Sequence, residues 1–129
     1  MATPIRIHQE AGCEIDQVEG FLRDTVGPGL AEEVQRCYRA LATACITRQC
    51  SRMLVIGHAT FDPFYHLAGR DALRSLALAG VPKDFRLALV AKSAGLIAVF
   101  DTAVIEAGRH GLDARRFLTE EEAELWLRS

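Results

Sequence analysis

Aromatic residues make up only 7% of the chain, with a single tryptophan, and no charge of one sign prevails: 15 Lys+Arg face 17 Asp+Glu, a formal net charge of −2. A generic nucleic-acid or anionic-membrane binder needs a basic excess, so that class is excluded. Long apolar runs are missing as well. The longest, Ala94 to Ile105, is interrupted by Asp101 and is too short to cross a bilayer. The opening MATPIRIHQE has no apolar signal core, which points to a cytoplasmic protein. There is no G-x-x-x-x-G-K-[ST] for a nucleotide, no G-x-S-x-G nucleophile and no H-E-x-x-H. Internal repeats, low-complexity tracts and linkers are absent too.

What is present describes one globular domain over residues 1–129. Half of the residues are hydrophobic and a quarter charged. A chain of this length buries roughly two-thirds of its unfolded surface, so neither a disulfide nor a metal is required for stability. The four cysteines, Cys13, Cys37, Cys45 and Cys50, contain no CxxC pair and are followed by no closely spaced histidine pair. A structural zinc site is therefore poorly supported, and in a chain without export features paired disulfides are not expected. Cys37 and Cys45 fall on the apolar side of an expected helix, where free cysteine acts as a small hydrophobe. Cys50, beside Arg48 and Arg52, is read as an inert thiol at a helix end.

The hydrophobic pattern gives the order of elements. Ile5 and Ile7 alternate with Arg6 and His8, and Ile15, Val18 and Phe21-Leu22 follow after Ala11-Gly12, which reads as a β-hairpin. Leu30, Val34, Cys37, Tyr38, Leu41 and Cys45 recur at helical steps. Arg52 to Gly57 is a strand buried on both faces. A helix follows through Phe64, Leu67, Ala68, Ala72, Leu76 and Ala79, then a second interior strand from Phe85 to Ala91. Ala94 to Ala107 reads as a helix that is apolar nearly all round, either deeply buried or shared with a second subunit, so a homodimer is possible. Asp113 to Phe117 is a short edge strand. Thr119 with Glu122 three residues later forms a capping box for the last helix. Strands alternating with helices predict an α/β fold: a mostly parallel central sheet with an N-terminal antiparallel hairpin and about four helices packed on it. Met53–Gly57 and Phe85–Ala91 should run side by side in one direction.

This order, with the closing signature RRFLTEEEAELWL, resembles the SpoIIAA-like branch of the STAS superfamily over roughly Met53 to Leu127. The resemblance rests on the strand ending MLVIG, the helix beginning near Asp62, the strand RLALVAKS and the T-E-E-E-A-E-L-W-L motif. It implies a single STAS-like domain that regulates or binds proteins rather than catalyses. It also implies a phosphorylatable serine at the start of the helix after the central strand. Asp62 matches the family's aspartate, but Pro63 and Phe64 stand where the serines belong, so the serine switch is absent; Thr60, which a phosphate beside a helix start would suit, is read first as an ordinary capping residue of the loop. Lipid-binding relatives of the group add a small apolar ligand, held near Phe61, Phe64 and Tyr65, as the other implied function.

Chemistry-bearing residues gather at two places. His58, Asp62, Tyr65 and His66 follow the carboxyl end of an expected parallel strand, the edge where open α/β sheets bind ligands. His58 and His66 are eight residues apart, without the spacing of a metal pair, and Asp62-Pro63 suits a helix start. Lys92 and Ser93 follow the next strand, Ser93 as the cap of the apolar helix, with Lys92 adding charge for an anion. The expected ligand or partner surface is thus His58, Thr60, Phe61, Asp62, Phe64, Tyr65, His66, Lys92 and Ser93, with no catalytic residue, metal or cofactor. Arg109, His110, Arg115 and Arg116 form a small basic cluster, and the ring of Trp126 should pack on the sheet.

Overall fold

The alternation that begins at Ile5 runs through three strands rather than two. In the computed structural model, which describes residues 4–10, 13–26, 31–58, 65–82 and 84–129, these are β1 (Ile5–Glu10), β2 (Cys13–Val18) and β3 (Phe21–Val26). The expected second arm of a hairpin is two strands. Glu19-Gly20 turns the chain between them, and Gly20 takes a φ of 93°, which glycine adopts without the clash of a Cβ. That turn is why the alternation from Ile15 to Leu22 is out of phase. β2 pairs antiparallel with both neighbours.

From β3 onward helices and strands alternate as the pattern predicts: α1 (Ala31–Thr47), β4 (Arg52–Gly57), α2 (Tyr65–Leu78), β5 (Arg86–Ala91), α3 (Ala94–Arg109), β6 (Asp113–Phe117) and α4 (Glu120–Leu127). The six strands lie in sequence order, and β3 to β6 are all parallel. β4 and β5 run side by side in one direction, Met53 opposite Leu87 and Gly57 opposite Ala91. β6 closes one edge of the sheet, as its charge pattern predicts.

The run MLVIG is uninterrupted because both faces of the sheet are covered. Met53 and Val55 join Leu87 and Leu89 beneath Leu41 of α1, Leu73 and Leu76 of α2, and Leu96 and Phe100 of α3. Leu54, Ile56, Ala88 and Val90 point the other way, onto Ala123 and Leu127 of α4 and onto Phe21. Burying one leucine-sized side chain contributes about 1.5–3 kcal/mol, so these two clusters are the main source of stability.

α3 has one buried apolar face and one exposed mixed face. Leu96, Phe100, Ala103 and Ala107 are buried under the helical layer, whereas Ile105 on the opposite side is 61% exposed and Asp101 and Thr102 are exposed with it. Packing within one chain accounts for its buried side. α4 opens as the capping box predicts: the Glu122 N–H donates to Thr119 Oγ1 at 3.3 Å, and that hydroxyl donates to Glu122 Oε1 at 2.9 Å.

Candidate functional site

The parallel pairing of β4 and β5 ends at Gly57 and Ala91. The exposed His58 leaves one strand, and Lys92 and the half-buried Ser93 leave the other. The Lys92 backbone N–H donates to the Gly57 carbonyl at 2.9 Å, so these residues share one edge of the sheet. Tyr65 and His66 open α2, which follows that edge. Thr60, Phe61, Asp62, Pro63 and Phe64 lie outside the described residues. Ser93 is the N-cap of α3 by position and backbone, but its hydroxyl makes no capping hydrogen bond.

The Lys92 ammonium serves a different element from the one its position suggests. It sits 3.2 Å from Glu120 Oε2 at the start of α4, whose other oxygen accepts a hydrogen bond from Arg23 Nη2 of β3 at 2.5 Å. The Arg23 hydrogen bond is the largest influence on Glu120. With Lys92 it holds the carboxyl below the ordinary carboxylate range, against a smaller upward push from burial. Arg23, Glu120 and Lys92 thus pin the amino end of α4 across the sheet, and Lys92 is engaged there rather than reserved for an anion at α3.

The basic cluster of the C-terminal region is dispersed. Arg109 and His110 both reach Glu106 at 3.3 Å, where Arg70 of α2 also approaches at 3.9 Å. The burial of Glu106 pushes its carboxyl upward, but hydrogen bonding from His110 and the charges of Arg70 and Arg109 bring it below the ordinary range. Arg115 and Arg116, adjacent on a strand, point to opposite faces. Arg116 bonds Asp101 of α3 at 2.8 Å, while Arg115 lies over the Trp126 ring at 4.9 Å. The indole also stacks against Phe117 with centroids 5.7 Å apart, so Trp126 packs on the sheet as expected.

The cysteines depart most from expectation. Cys13 and Cys37 form a disulfide between β2 and α1, and both are buried, at 1% and 0% exposure. The reading of Cys37 as a free hydrophobe and the expectation of no disulfide are corrected by this bond. Spacing is silent here, since the two residues meet only because α1 folds back over the meander. Cys45 is free and buried as predicted, its thiol pushed up to about 11 mainly by burial and further by Cys50. Cys50 is free and half-buried, its thiol directed to the Arg52 carbonyl at 3.3 Å.

Beside the disulfide lies Asp24, fully buried. Its Oδ1 is 3.7 Å from the Cys13 sulfur, and its Oδ1 and Oδ2 are 3.3 and 3.4 Å from the Cys37 sulfur. Burial alone drives its carboxyl well above the ordinary range, favouring the neutral form. Asp24 was legible in principle. It alternates in step with Leu22 on β3, a carboxylate on the core-facing side of a strand. A groove of about 380 Å³ opens nearby between β1 and α1, lined by Ile7, His8, Ala40, Thr43, Ala44, Thr47 and Arg48.

No family model, curated protein or solved structure matches the chain.

Proposed function

We propose that this chain is a non-enzymatic regulatory or protein-interaction module of the STAS, SpoIIAA-like kind, acting in the cytoplasm without a serine switch. The observation that supports this reading is the shared edge at Gly57 and Ala91, where parallel strands end together. Such an edge is where open α/β sheets present their contacts. His58 is exposed there, and Lys92 is tied to α4, so a partner seated on this edge also senses the docking of that helix.

The test uses the full chain as bait in cell lysate, with partners identified by mass spectrometry and confirmed with purified proteins. The variant His58→Glu introduces a negative charge at this exposed position without touching the core. A partner that binds the parent and is lost at least tenfold by His58→Glu supports the reading. A partner indifferent to that change, or no reproducible partner, removes it.

A second reading is a carrier of a small apolar ligand. The place expected for it, near Phe61, Phe64 and Tyr65, falls on residues or side chains outside those described. What favours the reading is a different place, the groove between β1 and α1, whose volume falls within the range of small-molecule sites. Native mass spectrometry separates the two readings, because a copurifying small molecule supports the carrier.

A further inference from the structure

Two polar groups near the Cys13–Cys37 bond are poorly served by it. Asp24, fully buried, faces two disulfide sulfurs, and a disulfide sulfur has no proton to donate to a carboxylate. His8 Nε2 is shut off from water with no hydrogen-bond partner among the described residues, and Glu10 Oε1 stands 3.5 Å away. Both groups converge on the same sulfur. The donor atoms of Cys13, Asp24 and Cys37 lie within 4.8 Å of one another, and so do those of His8, Glu10 and Cys13.

The sheet register explains the convergence. His8 lies opposite Ile15, which lies opposite Asp24, forming one row across three strands. Cys13 stands two residues along from Ile15 on the same face, diagonal to both ends of that row. α1 brings Cys37 down from above. The two triads share only Cys13, so a four-donor set of two thiols, a carboxylate and an imidazole, the number and softness that zinc takes in closed tetrahedral sites, is completed when the His8 ring turns from Glu10 toward Asp24 and Cys37.

We propose that the reduced chain binds one zinc ion here, with Cys13, Cys37, Asp24 and His8 as ligands. This site is separate from the strand edge at Gly57 and Ala91. Opening it requires a two-electron reductant such as a dithiol. The Cys13–Cys37 bond breaks, two cysteine thiols form, and the dithiol closes to its own disulfide. The zinc ion then displaces both thiol protons to solvent, and its charge compensates Asp24, whose burial as an isolated carboxylate is costly. A two-electron oxidant such as a small-molecule disulfide reverses the step: it takes two electrons from the cysteine thiolates and two protons from solvent to become two thiols, the Cys13–Cys37 bond re-forms and the ion is released. The same four groups thus carry a metal-loaded and a cross-linked state.

The experiment takes the full chain, reduces it with a phosphine that leaves metals free, and titrates it with Co²⁺. A thiolate-to-cobalt charge-transfer band saturating at one equivalent, and displaced by Zn²⁺, is the expected result. Cys37→Ser abolishes the band, Asp24→Asn and His8→Ala each weaken Zn²⁺ binding tenfold or more, and the double variant Cys45→Ser/Cys50→Ser retains the band. Circular dichroism establishes that every variant is folded. The proposal is overturned by a folded, reduced chain that shows no band, by a disulfide that resists reduction until the chain unfolds, by binding indifferent to Asp24→Asn, or by a band lost with Cys45 and Cys50.

Discussion

At the scale of single residues, the tightest glycine among the described residues is Gly57, where β4 passes beneath α3. A Cβ at this position would meet Phe100 Cζ at 2.7 Å and Leu96 Cδ1 at 2.9 Å. Both neighbours are fully or almost fully buried, so neither can swing aside. Gly57→Ala is therefore an overpacking change, expected to cost about 1–3 kcal/mol and to lower the urea midpoint with little change in slope. A midpoint equal to the parent's would mean that α3 yields without cost. The glycine closing MLVIG was visible as punctuation. That it makes room for an aromatic ring from a helix more than forty residues away in the chain was not.

At the scale of elements, α4 is the instructive case. Its start was legible because the capping box is a local device: Thr119 and Glu122 satisfy one another within a single turn. Its docking was not legible, because Glu120 depends on Arg23 from a strand nearly a hundred residues earlier and on Lys92 from a different loop. The native carboxyl lies below its ordinary range. Its contribution is thus present above the unfolded carboxylate range and lost as pH falls through the lowered native value. Trp126, the only tryptophan, reports on this helix. Its fluorescence should begin to shift toward the exposed form below that range, and Glu120→Gln should show the loosened signal already at neutral pH. A parent and variant with coincident fluorescence profiles would show that the ion pairs do not hold α4. The missed strand break at Glu19-Gly20 belongs to this scale also, since a turn of this length leaves only a phase slip in the pattern.

For the whole molecule, the notable feature is that a domain with two apolar clusters also carries a cross-link. The Cys13–Cys37 bond spans a separation of 24 residues and ties the antiparallel part of the sheet to α1. By the loop-entropy argument its loss costs roughly 3.5 kcal/mol. In metal-free, oxidising buffer, Cys13→Ser/Cys37→Ser should lower stability by about that amount in urea, while leaving the strand and helix signature of the circular dichroism intact. An unchanged midpoint would show that the bond adds no stability under those conditions.

The sequence by itself determined the elements from α1 onward, the parallel pairing of β4 with β5 and the cap of the last helix. These follow from periodicity and turn chemistry within short windows, which neighbouring residues are sufficient to express. Only the tertiary structure decided that Cys13 meets Cys37 beside a buried Asp24, that Lys92 serves α4, and that Arg115 and Arg116 part company. Each of these depends on which distant element arrives on which face of the sheet, and the free energy that brings it there is spread over the whole core rather than written in any one segment.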